Sequence, residues 1–316
     1  MVKTRASKKL IIYIVLLLLL FTVPLYFDKF IIFLLTLSLI ATIFVWGMHV
    51  LFGLTGQISV GQGAFYGIGA YIAAYLVLNL NLSFFLAIPI AVILTSLLAY
   101  VIGFPLLRLK GHYLALGTLS LALITYTVLM RWVAFTGGPS GFRIPATTFL
   151  GIEMGRIGFY YLTLFLTLLS LYLIKTLSDS YLGRAFMAIR DDEDAASSMG
   201  IDVFKGKMLA FIMGAALSSL AGILYVFSNK YIAPDLFNIH ASVQLLFVVV
   251  VGGLGSATGA AVGAVLFTVL PQIMSVFEKY EMLLFGILVF VVIIFLPRGL
   301  VSLPAVLVDT FRKKKE

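Results

Sequence analysis

Residues 30–51 read F-I-I-F-L-L-T-L-S-L-I-A-T-I-F-V-W-G-M-H-V-L, an apolar run interrupted only by the neutral polar residues Thr36, Ser38, Thr42 and His49. A stretch of that length without Asp, Glu, Lys or Arg matches the roughly 17–25 residues a helix needs to cross a bilayer's hydrocarbon. Leu10 to Phe27, Phe84 to Phe104 and Phe159 to Leu173 repeat the pattern. Over its 316 residues the chain is 62% hydrophobic and 11% charged, with mean hydropathy +1.14. That is more apolar surface than one water-soluble core encloses, so lipid is the expected solvent. A membrane barrel would show short segments of alternating polarity, and the expected fold class is instead an all-α integral membrane protein.

The first run follows Lys3, Arg5, Lys8 and Lys9, as a cleavable leader would. It continues through Pro24, Leu25 and Tyr26 to Phe27 with no A-x-A site. A leader core is only roughly 7–15 residues, so this run is read as a retained helix. Helices are expected at 10–27, 30–51, 64–79, 84–104, 113–131, 159–176, 208–228, 241–251, 260–275 and 282–297, about ten spans in all. With the N-terminus inside, sixteen Lys and Arg residues fall on the inner side and six on the outer. That bias places both termini in the cytoplasm. Residues 1–9 and 298–316 then form basic tails around one membrane domain, 10–297. The net charge of +9 is explained by this asymmetry without a nucleic-acid partner. If Gly252, Gly253, Gly255 and Gly259 do not break 241–275, nine spans result and the basic tail lies outside. The charge rule favours a break, which makes 241–251 a half-span or re-entrant piece.

Three stretches differ from lipid-facing helix. Gly53 to Gly69 carries six glycines in seventeen residues, together with Thr55, Gln57, Ser59 and Gln62. Irregular backbone at membrane depth survives only against protein or a wet cavity, so this is read either as close helix packing or as a flexible segment beside a path for solute. Gly56, Gln57, Ser59, Gly61 and Gln62 are the candidate path-lining residues. Thr136, Gly137, Gly138, Pro139, Ser140 and Gly141 form a tight-turn cluster in a long outer connection, read as a plain surface turn or as an external docking surface. The inner segment 178–207 holds a short amphipathic helix with Ala185, Ala188, Ile189, Ala195, Ala196 and Met199 near one face and Gly200 as its stop. Its polar face is acidic and its apolar stripe small, which suits docking into a protein groove better than lying on lipid.

The assigned spans hold almost no ionisable side chains, and the carboxylates of a proton relay are missing from them. No G-x-x-x-x-G-K-[ST] loop is present, so nucleotide energy would have to come from another polypeptide. There is no cysteine, and His49, His112 and His240 lack H-E-x-x-H spacing or clustered acids. Neither a catalytic residue, a cofactor nor a metal site is expected.

Six motifs in order, G-L-T-G-Q-I-S-V-G-Q-G-A-F-Y-G-I-G-A-Y, G-H-Y-L-A-L-G-T-L-S, T-G-G-P-S-G, G-R-A-F-M-A-I-R-D-D-E-D-A-A-S-S-M-G-I, S-V-Q-L-L-F-V-V-V-V-G-G-L-G-S-A-T-G-A and F-L-P-R-G-L, span Gly53 to Leu300. Together they resemble the LivM-type permeases of branched-chain amino-acid ABC importers, with Phe142 standing where the family commonly has a smaller aliphatic residue. The resemblance implies a type II importer permease in a prokaryotic cell membrane. It implies a LivH-type sister permease, two cytoplasmic ATPases that bind the ATP, and an extracytoplasmic solute-binding protein. It also implies that Gly183, Arg184, Ala188, Ile189, Arg190, Asp191 and Gly200 couple the chain to those ATPases. Related permeases carry urea, short amides or other amino acids, and a self-sufficient carrier or channel for a small neutral solute is the alternative.

Overall fold

A computed structural model describes residues 18–24, 26–149, 152–237, 251–253 and 256–274, with the single positions Val248, Gly286 and Phe290. The expected helix at 282–297, most of 241–251, the first residues of 10–27 and both basic tails lie outside these residues. Residues 18–24 are helical.

The opening run forms α1, Lys29–Met48, and continues as a π-helical turn over His49–Leu54. Its polar residues sit in an apolar span because their hydroxyls donate to the preceding turn, Thr36 to the Ile32 carbonyl at 2.8 Å and Thr42 to that of Ser38 at 2.7 Å. Next come α2 (Gln62–Leu78), α3 (Phe84–Leu106) and α4 (His112–Arg131). α5 (Val133–Thr136), a 3₁₀ turn (Gly138–Ser140) and the two-residue strands β1 (Phe142–Arg143), β2 (Thr148–Phe149) and β3 (Ile152–Glu153) fill the long connection. α6 (Arg156–Asp179) returns across the molecule to the short helices α7 (Tyr181–Asp191) and α8 (Glu193–Ser198). α9 (Val203–Asn229) crosses again to β4 (Tyr231–Ile232) and a second 3₁₀ turn, Pro234–Phe237. α10 is Ala257–Met274. Among the described residues five helices are long and apolar enough to cross a membrane, and α2 and the 257–270 part of α10 are shorter apolar helices.

α9 is the hub, packed against α1, α2 and α3. Small residues let the backbones meet: a Cβ on Gly47 would lie 2.9 Å from the Gly214 carbonyl oxygen, and Cβ atoms on Gly69 and Gly222 would run into Ser219 and the Tyr66 carbonyl. α3 turns Leu86, Ile93, Leu97 and Val101 outward, and α4 turns out Leu116 and Ile124, apolar surface that suits lipid.

Two expectations are corrected. The inner segment is two helices rather than one, because Asp192 leaves helical geometry (φ −162°, ψ 117°) and its carboxylate accepts from the amides of Asp194 and Ala195, both at 2.9 Å, starting α8 anew. Its buried side is also different. Phe186, Ile189 and Ala196 are enclosed, while Ala195 is exposed and Met199 is 83% exposed. The chain does break where a single helix over 241–275 was the alternative: Gly252 ends a helical segment, Gly253 has φ +111°, and α10 begins at Ala257. A Cβ on Gly263 would lie 2.7 Å from the Val248 carbonyl, so the two pieces touch.

Candidate coupling and translocation site

The π turn closes where the Thr55 hydroxyl donates to the Leu51 carbonyl at 2.7 Å and Gly56 adopts φ +69°, a conformation that favours glycine. Residues 56–61 are non-helical until α2 begins at Gln62. Gln57, Ser59 and Gln62 are 3%, 4% and 1% exposed, so in this chain they face its own helices, not an open channel. Gln57 Nε2 donates to Thr55 Oγ1 at 2.9 Å and to the Lys207 carbonyl at 3.2 Å. Thr118 Oγ1 accepts from the Val60 amide at 3.1 Å, and a Cβ on Gly61 would lie 2.7 Å from the Thr118 carbonyl. Gln62 Oε1 accepts from Ser218 Oγ at 2.9 Å. Gln57 Oε1, Ser59 Oγ and Gln62 Nε2 make no hydrogen bond among the described residues. Buried polar atoms are normally paired, so this stretch holds hydrogen-bonding capacity in reserve.

The short helices grip this stretch. Arg190 Nη1 donates to the Gly53 carbonyl at 2.8 Å, at the end of the π turn, while its Nε and Nη2 donate to Asp191 Oδ1 at 3.2 and 3.1 Å. A Cβ on Gly56 would meet Arg190 Cγ at 2.9 Å. Lys207, whose side chain is 7% exposed, pairs with Glu193, and its backbone carbonyl receives Gln57. Sequence reading placed Lys207 in a connection, but α9 starts at Val203 and carries it inward. Asp202 caps that start through the Lys205 amide, which holds its carboxyl below the usual carboxylate range.

The other expected coupling residues have distinct places. Gly183 is buried against the Leu177 carbonyl, and Ile189 is enclosed against Gly206. Ala188 is half-buried, and Asp191 is exposed. Arg184 is exposed and donates to the Asp179 carbonyl at 3.1 Å. Gly200, φ +83°, ends α8 as its glycine implied.

At the opposite end the T-G-G-P-S-G turn is built inward. Thr136 is fully buried, its Oγ1 lying 2.6 Å from the Leu129 carbonyl and 2.9 Å from that of Trp132 while accepting from the Gly138 amide at 3.1 Å. Gly137 and Gly138 have φ +73° and +63°, and Gly141, φ +57°, fits against the Ile232 carbonyl. Only Pro139 and Ser140 form an exposed tip, with the Ser140 carbonyl accepting from Tyr231 Oη at 2.8 Å. β1 pairs with β4, and Phe142 packs edge-on to Tyr71 at 6.2 Å. Thr136→Val strips the Gly138 amide of its acceptor, and a destabilisation of about 1–3 kcal/mol is expected in detergent unfolding. Pro139→Ala at the exposed tip should shift it by less than about 0.5 kcal/mol; equal shifts would show that the hydroxyl does not hold the turn.

Apolar helices of membrane length, an interrupted buried polar stretch and a short-helix pair clamped to it define a multi-pass helical membrane protein. Residues 30–296 match the family described as "Branched-chain amino acid transport system / permease component", and the chain belongs to that family of permeases. It is 34% identical over 293 residues to the high-affinity branched-chain amino acid transport system permease protein LivM of Escherichia coli K12, covering 85% of this chain and 69% of the relative. A probable LivM of Methanocaldococcus jannaschii is 24% identical over 71% of each chain. The LivH permease of Salmonella typhimurium is 25% identical, over 82% of this chain and 90% of the relative. No solved structure matches the chain.

Proposed function

We propose that the chain is the LivM-type permease subunit of an ABC importer for branched-chain or other hydrophobic amino acids. It would act beside a LivH-type sister permease, with two cytoplasmic ATPases supplying ATP energy and an extracytoplasmic solute-binding protein delivering substrate. Family membership supports the substrate class, and the relatives include permeases of both the LivM and the LivH type. The excess of Lys and Arg supports about ten spans with both termini and α7–α8 inside, in a prokaryotic cell membrane.

The observation that carries the mechanism is the double tie between the short helices and the non-helical stretch, Arg190 to Gly53 and Glu193 through Lys207 to Gln57. Gly183, Arg184, Ala188, Ile189, Arg190, Asp191 and Gly200 form the ATPase-facing segment in this reading. Its movement shifts residues 53–62, and the unspent atoms of Gln57, Ser59 and Gln62 then meet a passing zwitterion. The Pro139–Ser140 tip lies at the end offered to the binding protein.

Co-purification and ATP-driven leucine uptake in liposomes test the reading. Wild type should hold the ATPases, and Ala188→Trp, which adds bulk to the half-buried face of α7, should release them while eluting as a folded monodisperse protein. A chain that purifies alone and moves solute without ATP belongs to the carrier class instead; uptake of urea or acetamide but no amino acid overturns the substrate class.

A further inference from the structure

The second 3₁₀ turn, Pro234–Phe237, is wedged against α2 and α4 by its buried ends, Pro234 and Phe237, and leaves Asp235 exposed between them. Tyr126, on α4, donates its hydroxyl to Asp235 Oδ1 at 2.7 Å, from 109 residues away. A phenol spent on one carboxylate oxygen stabilises the ionised acid, and Oδ2 has no hydrogen bond or ion pair among the described residues. Arg131, Arg143 and Lys230 occupy the same end of the molecule, yet among the described residues none forms an ion pair with Asp235. Behind the turn, Tyr71 is 1% exposed, with a hydroxyl that bonds to nothing among the described residues. Its ring and that of Tyr66 stand 5.9 and 5.6 Å from Phe237.

A single exposed carboxylate, fixed by one hydroxyl, is not a cage for a divalent metal, which needs several oxygen ligands. It suits a monocation with hydrogens to donate.

We propose that Asp235 receives the α-ammonium group of an incoming amino acid at the outer end of the bundle. This rests on the amino-acid transport reading and narrows it: zwitterions with a primary ammonium are accepted there, and urea and simple amides gain nothing from the site.

The test is uptake of labelled L-leucine by the full importer, reconstituted with its partner subunits and binding protein. Asp235→Asn should lower uptake at least tenfold, and Asp235→Glu should stay within threefold of wild type. Tyr126→Phe removes the internal hydrogen bond but keeps the charge, and should also stay within threefold. Uptake by Asp235→Asn within twofold of wild type overturns the assignment. So does a loss in Tyr126→Phe as large as that in Asp235→Asn, because the carboxylate would then serve only to hold the turn. Wild-type import of urea or acetamide with no amino acid overturns the transport reading and this site with it, a result distinct from intact leucine import with a silent Asp235→Asn.

Discussion

Gly222→Val is expected to lower sharply the yield of folded protein in detergent extracts. The Cβ of any larger residue at 222 would run into the Tyr66 carbonyl and approach Tyr66 Cα to 3.2 Å, backbone atoms of α2 that no rotamer change can move aside. Overpacking commonly costs ~1–3 kcal/mol, and a backbone-on-backbone clash at the hub belongs at the upper end. At ~1.4 kcal/mol per tenfold, that lowers the folded-to-unfolded ratio roughly a hundredfold, a large share of an ordinary protein's marginal stability. Gly155→Val is the control, since a Cβ there meets nothing within 4 Å. Size-exclusion profiles of the two variants decide it: a Gly222→Val peak matching wild type would show that α2 and α9 can part without loss.

In the importer proposed above, Arg190→Met is expected to leave the assembly intact and the ATPases active but to lower uptake per ATP at least tenfold. The side chain is 39% exposed, so its contribution to stability is small, and its pair with Asp191 adds little. Its distinctive contact is the 2.8 Å bond to the Gly53 carbonyl, which joins α7 to the end of the π turn. Methionine keeps the length and apolar stem but cannot donate. Parallel assays of ATP hydrolysis and leucine uptake separate a broken tie from a broken fold, and unchanged uptake per ATP would remove Arg190 from the coupling route.

The membrane architecture was readable because continuous apolar runs leave a bilayer helix little alternative. α1, α3, α4 and α6 begin within about three residues of where their runs begin. α9 is longer than its apolar run. Sequence reading places a span only from 208, because Lys205 and Lys207 read as a connection, whereas the helix begins at Val203 and Glu193 neutralises Lys207 from 14 residues away. The inner amphipathic segment was recognised, but its break was not, because Asp192 serves as both an end and a cap inside a run of four acids. Gln57, Ser59 and Gln62 stood out as unusual polar residues, yet sequence could not say that all three are buried or that Gln57 and Gln62 turn toward α9. That depends on partners at Lys207 and Ser218, more than 140 residues distant. For the same reason nothing in the sequence joins Tyr126 to Asp235, 109 residues away.

The late place of α9 in the chain has a consequence for biogenesis. α1, α2 and α3 leave the ribosome long before Val203, so Gln62 and Thr95 enter the bilayer before Ser218 and Ser219, which hydrogen-bond them in the finished bundle, have been made. During that interval the early helices are held by lipid and the insertion machinery, with the groove that will take α9 unfilled. A ribosome stalled before residue 203 therefore releases an intermediate whose small-residue seams are open, the form that membrane quality control would be expected to remove.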